Sequence, residues 1–153
     1  MRSLMFATLV ALGVGQSVHA ADEVMVQRPV PFNEDADIAG AVKRECKLDE
    51  QLPDFIAEYG KEKGIEIDLV PQVEASHAGR VLVLGITDAV SDGNAFLGHR
   101  KSVSVKGKLY QEGQLLGSFK ARRNSMGGAF GEFGGSCSVL SGAVKELGED
   151  VAG

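Results

Sequence analysis

The order of apolar patterns along the chain predicts a two-layer α+β domain, with a mostly antiparallel sheet of about five strands and helices packed on one face. Three observations carry this. Helical periodicity is confined to residues 36–62 and to the C-terminal stretch. Alternating or continuous apolar runs fill most of the remainder. Two of these runs are adjacent and flank Gln111-Glu112-Gly113, which reads as a hairpin. The resulting order β-α-α-β-β-β-β-α keeps strands consecutive, unlike a doubly wound fold.

Residues 1–20 have the layout of a cleavable secretory signal peptide: Arg2, an apolar run from Leu4 to Val14, and the small-x-small site Val18-His19-Ala20. The apolar run is too short to span a bilayer. No Cys follows the expected cleavage point after Ala20, so a lipid anchor has no acceptor. The mature product is expected to be a single domain, residues 21–153, periplasmic or secreted, without a stable membrane anchor. Its loss of Arg2 makes the formal charge of −5 one unit more negative. An acidic chain argues against nucleic acid, which is bound chiefly through basic faces.

In the mature chain, Val24 to Arg28 is a short strand closed by Pro29 and Pro31. Ile38, Ala41, Val42 and Cys46 then share one helical face. A second helix is expected over 50–62, with Leu52, Phe55, Ile56 and Tyr59 as its stripe. Asp49 is its cap, Pro53 falls in the first turn and Gly64 ends it. Ile65 to Leu69 alternates as a half-buried strand. Val81 to Ile86 is apolar throughout and suits a central strand. Residues 87–99 read as a long polar connection.

The hairpin runs from Ser102 to Tyr110 and from Gln114 to Arg123. A three-residue loop pairs Leu109 with Leu115, Val105 with Phe119 and Val103 with Ala121. The last helix begins near Cys137, capped by Ser136, and steps through Leu140, Val144, Leu147 and Val151.

Four constellations bear on function. Cys46 and Cys137 lie on apolar helical faces in a chain sent to an oxidising compartment, so a disulfide is expected between them. The polar face of the hairpin carries Arg100, Lys106, Lys108, Lys120 and Arg122, interleaved with serines. Together with Ser125 at a strand end, this is the candidate binding surface for an anionic ligand or an acidic envelope protein. An ordinary solvated face, its lysines discouraging edge pairing, is the plain alternative.

The glycine-rich stretch 127–135 lacks the Gly-Lys-Ser/Thr ending of a phosphate loop and reads as a connector. The mature histidines, His77 and His99, have no metal-ligand spacing, so neither metal nor cofactor is expected. No Gly-x-Ser-x-Gly elbow occurs. A small envelope hydrolase using His99 with Ser125 or Asp88 is the enzymatic alternative.

Several segments together resemble a family of small exported or lipid-anchored domains of unknown function from Gram-negative bacteria. They are Glu45-Cys46-Lys47-Leu48, Gly79-Arg80, Gly98-His99-Arg100 and Arg123-Asn124-Ser125-Met126-Gly127-Gly128, with Gly135-Ser136-Cys137-Ser138-Val139-Leu140 and Leu147-Gly148-Glu149-Asp150-Val151-Ala152. Such domains are similar to α/β modules of envelope assemblies, and the resemblance implies a non-enzymatic binding or interaction role. It brings no catalytic residues. The chain departs from the lipid-anchored members in lacking the anchor Cys.

Overall fold

The computed structural model describes residues 23–94, 98–126 and 136–153, with the side chains of 92–100 and 125–136 excepted. The expected signal peptide and the glycine-rich stretch 127–135 lie outside the described residues. The elements are β1 (Glu23–Gln27), α1 (Gly40–Glu45), α2 (Leu48–Glu62), β2 (Glu66–Val70), β3 (Arg80–Asn94), β4 (Gly98–Gln111), β5 (Gln114–Met126) and α3 (Ser136–Ala152). They form one mixed sheet in the order β2-β1-β3-β4-β5. β1 pairs parallel with β2 and β3, while the long β3-β4-β5 meander is antiparallel. The fold is the expected α+β arrangement.

The helices cover one face of this sheet. Leu48, Leu52 and Ile56 of α2 and Leu140, Val144 and Leu147 of α3 are fully buried in one cluster. From the sheet the cluster takes Val24 and Val26, Leu82, Leu84, Ile86 and Ala89, and Val103 and Val105. Cys46, at the end of α1, and Cys137, in the first turn of α3, form a disulfide with a Cα–Cα distance of 4.8 Å. It ties the two ends of the helical layer together.

Three local expectations need correction. α2 begins two residues early, and its N-cap is Lys47 in a left-handed conformation (φ 48°), without a side-chain cap bond. Asp49 and Glu50 instead sit in the first turn, where negative charge favours the helix dipole. Pro53 lies in the second turn, not the first. A proline there leaves the carbonyl four residues back without its helical donor. That carbonyl, of Asp49, accepts a 2.8 Å hydrogen bond from the Val30 amide, so the β1–α1 connection supplies the missing donor.

The second correction concerns residues 87–99. β3 does not stop at Ile86 but continues to Asn94, and β4 starts at Gly98. Ile86 pairs with Val105 and Asp88 with Ser104, so Thr87 is a bulge residue. The extra residue shifts the phase of alternation, which brings Ala89, not Asp88, into the core opposite Val103. A single alternating pattern therefore does not run through this strand.

The third concerns the hairpin, whose loop is two residues long. Gln111 pairs with Gln114, and Glu112 and Gly113 both have positive φ, 50° and 78°, the pattern of a type I′ turn. Tyr110 pairs with Leu115 but Leu109 with Gly117, leaving Leu116 as a bulge. Val105 consequently opposes Ala121 and Val103 opposes Arg123, a register two residues from the expected one. The hairpin tip is pinned by a reciprocal pair: the Glu112 amide donates to the Gly79 carbonyl, and the Gly79 amide donates to Glu112 Oε1, each at 2.9 Å.

Candidate basic sheet face

β2 and β3 run in the same direction on either side of β1, so the chain between them, residues 71–79, must travel back along the sheet. It caps one end of the helix-free face. Val73 donates its amide to Gln27 Oε1, and Val73 and Val81 are buried there, apart from the main core. Beyond this cover the helix-free face is open.

Register fixes what that face presents. Its successive rows across β3, β4 and β5 are Val81-Tyr110-Leu115, Val83-Lys108-Ser118 and Gly85-Lys106-Lys120. After the Thr87 bulge follow Asp88-Ser104-Arg122 and Val90-Ser102-Asn124. The alternation that predicted a basic face is thus correct for Lys106, Lys108, Lys120 and Arg122. All four side chains are exposed.

Arg122 is tied to its own sheet, its Nη2 donating to Ser102 Oγ (3.0 Å) and its Nε to Asn124 Oδ1 (3.1 Å). Ser102 is fully buried beneath it. Lys106 and Lys120 stand directly opposite each other. Among the described residues no carboxylate lies within ion-pair distance of Lys106, Lys108 or Lys120.

The side chains of Arg100, Ser125 and His99 lie outside the described residues. Their backbones do not: Arg100 and Ser125 belong to β4 and β5, and Lys101 pairs with Ser125. His99 lies five positions along β4 from Ser104, the partner of Asp88, so roughly 16 Å of strand separates the His99 and Asp88 backbones.

Sequence reasoning missed the far wall of the site. After the Arg28-Pro29 cis peptide the chain returns to the edge of β3: the Ile86 amide donates to Pro31 O (3.0 Å) and the Asn33 amide to Ile86 O (2.9 Å). Pro31 and Asn33 therefore flank the open face, and a Cβ on Gly85 would come 2.5 Å from Asn33 Oδ1. The cleft between this wall and the lysines has a volume of about 660 Å³, with Val83 and Tyr110 on its apolar side. The one sequence signal for it is a glycine inside an apolar strand, which marks close approach by another group.

Arg123, one residue from Arg122, points the other way. It donates to both carboxylate oxygens of Asp150 on α3, at 2.6 and 2.5 Å, with Glu146 4.0 Å away. The hydrogen bond and charge of Arg123 hold the Asp150 carboxyl below the usual range, and Asp150 in turn raises the Arg123 guanidinium. At the other end of the sheet Arg28 is raised by its hydrogen bond and ion pair with Asp54.

Among the described residues, no group of three His, Cys, Asp or Glu is placed to hold a metal ion. No helix among them is long and apolar enough to cross a membrane.

What fold and face define is an α+β domain with one covered and one open, basic sheet face. Solved structures of the same fold include protein XCC0632 from Xanthomonas campestris, described under the family model DUF330. That match has a TM-score of 0.62 at 9% identity over 88% of this chain and 83% of the other. The PelC dodecamer from Paraburkholderia phytofirmans matches with a TM-score of 0.51 at 14% identity, covering 84% and 87%. Lipoprotein GNA1162 from Neisseria meningitidis matches with a TM-score of 0.50 at 15% identity, covering 85% and 97%. No protein-family model matches the chain, and no curated protein does.

Proposed function

We propose that this chain is an exported, non-enzymatic binding module of the bacterial cell envelope, with the helix-free sheet face as its partner-facing surface. The observation that carries the reading is the asymmetry of the sheet. Helices and core cover one side, while the other presents Lys106, Lys108 and Lys120 around a cleft, on a chain of net negative charge. A cluster of one sign against an opposite background attracts an anionic partner. The export layout of residues 1–20 supports the location, as does the fold shared with the Neisseria lipoprotein.

The test is crosslinking in the periplasm of a producing bacterium, with the exported chain and with a Lys106→Glu/Lys120→Glu/Arg122→Glu variant. Loss of the crosslinked partner in the variant is the expected result. A partner retained in full would remove the basic face from the proposal, and a chain retained in the cytoplasm would remove the location.

A further inference from the structure

The cleft is not uniformly basic, and its polarity has a direction. At its tip end stands Tyr110, whose row partners lie outside the cleft: Val81 is buried under residues 71–79, and Leu115, just beyond the lining, is 55% exposed although it is a large aliphatic residue. The next row, Val83-Lys108-Ser118, is mixed. The one after it, Gly85-Lys106-Lys120, is dibasic, and over the glycine of β3 the side-chain oxygen of Asn33 takes the place a Cβ would have. The face therefore changes from apolar to cationic over two rows, roughly 13 Å along the strands.

Like charges directly opposite on an antiparallel pair are unfavourable, which is the condition of Lys106 and Lys120. An anion between them replaces the repulsion with two charge-assisted hydrogen bonds. The acid nearest in register on this face, Asp88, belongs to the following row with Ser104 and Arg122. A bare anion would leave Val83 and Tyr110 unused, and a neutral apolar ligand would leave the lysine pair unrelieved. The volume of about 660 Å³ lies within the range of sites that enclose one small molecule.

We infer that the cleft takes a single anionic amphiphile, its carboxylate or phosphate head between Lys106 and Lys120 and its apolar body along Val83 and Tyr110. This deepens the reading of the basic face as a binding surface and rests on it. Asn33 closes the head end over Gly85, and Lys108 borders both halves.

Calorimetric titration of the exported chain with dodecanoate, below its micelle concentration, tests the inference. Saturable one-to-one binding is expected, at least tenfold tighter than that of dodecyl maltoside or of inorganic phosphate. Lys106→Gln/Lys120→Gln should weaken dodecanoate binding at least tenfold while the protein melts at the same or a higher temperature. Tyr110→Ser should weaken dodecanoate without changing the affinity for phosphate.

Dodecyl maltoside binding as tightly as dodecanoate would overturn the role of the charge pair. Phosphate binding as tightly would overturn the apolar half, yet leave the basic face an anion site. Binding only to phosphatidylglycerol vesicles, with none to monomeric dodecanoate, would overturn the single-molecule cleft in favour of a membrane surface. No binding of any probe, alongside an intact charge-dependent crosslink to an envelope protein, would overturn the amphiphile and leave the proposed function standing.

Discussion

The carbonyl of Asp49 shows how one residue's chemistry is settled by another far along the chain. Pro53 removes its helical donor, and the Val30 amide takes that place at 2.8 Å. Pro53 is itself buried, so the ring that costs a hydrogen bond also contributes apolar contact. Gly148 is a second position where a neighbour decides. It lies where α3 crosses α2, and a Cβ there would sit 2.6 Å from Phe55 Cβ and 3.2 Å from the Phe55 carbonyl carbon. Alanine would gain about 1 kcal/mol in helix propensity. The backbone of α2 cannot yield to it, and forced repacking costs roughly 1–3 kcal/mol. Gly148→Ala is therefore expected to be neutral to destabilising, by up to about 2 kcal/mol, where an exposed helical glycine would give a gain. Urea unfolding of the two proteins measures the difference.

At the scale of the element, the β4–β5 hairpin shows what alternation can and cannot reveal. The apolar and basic faces were legible in the sequence because side chains alternate with a period of two. The pairs were not. A loop one residue shorter moves the register by one, and the bulge at Leu116 moves it by one again, so Val105 meets Ala121 where Phe119 is expected. Beyond the bulge a slip of two leaves every side chain on its own face and is invisible to a period-two pattern, whereas Leu115, on the turn side of the bulge, slips by one and changes face, from beside Leu109 to opposite Tyr110. The slip also places Gly107 opposite Phe119, whose ring lies where a Gly107 side chain would be. Lys106 and Lys120 meet for the same reason. At the turn, Gly113 holds φ at 78°, a left-handed conformation that costs other L-residues about 1–2 kcal/mol. Gly113→Ala is expected to lower stability by about 1 kcal/mol, read from the urea midpoint. Because Glu112 anchors the tip to Gly79, strand pairing should survive, with β-sheet circular dichroism unchanged.

Across the whole molecule, the covered layer is held at its two ends by different chemistry. Its elements were readable because each of α2, α3 and the core strands declares a buried stripe. The candidate site was readable only on the β4–β5 side, since Pro31 and Asn33 reach it through backbone pairing with Ile86, more than 50 residues away in sequence. At one end of α3, Arg123 clips Asp150 to β5. Because Asp150 titrates lower in the folded protein than in the unfolded chain, its contribution is complete above the ordinary carboxylate value near 4 and is lost as pH falls through the lower, folded value. Arg123→Gln should therefore narrow its stability deficit against the parent as pH drops from 6 towards 2, in urea midpoints taken at each pH. A deficit independent of pH would mean that Arg123 acts by packing alone.

At the other end stands the Cys46–Cys137 bond, whose partners lie 91 residues apart. Closing a loop of that length restrains the unfolded chain by about 4 kcal/mol when the folded geometry is relaxed. The folded state has independent reasons to keep α3 in place, because Leu140, Val144 and Leu147 are fully buried against α2 and the sheet. The bond therefore acts more on the unfolded state than on the docked helix. Cys46→Ala/Cys137→Ala should fold to the same secondary structure, keep α3 protected from hydrogen exchange under native conditions, and lose about 4 kcal/mol of unfolding free energy. Loss of α3 protection in the double variant, with stability otherwise retained, would show instead that the disulfide is what docks the helix. Intact mass with and without reductant establishes beforehand that the exported protein carries the bond.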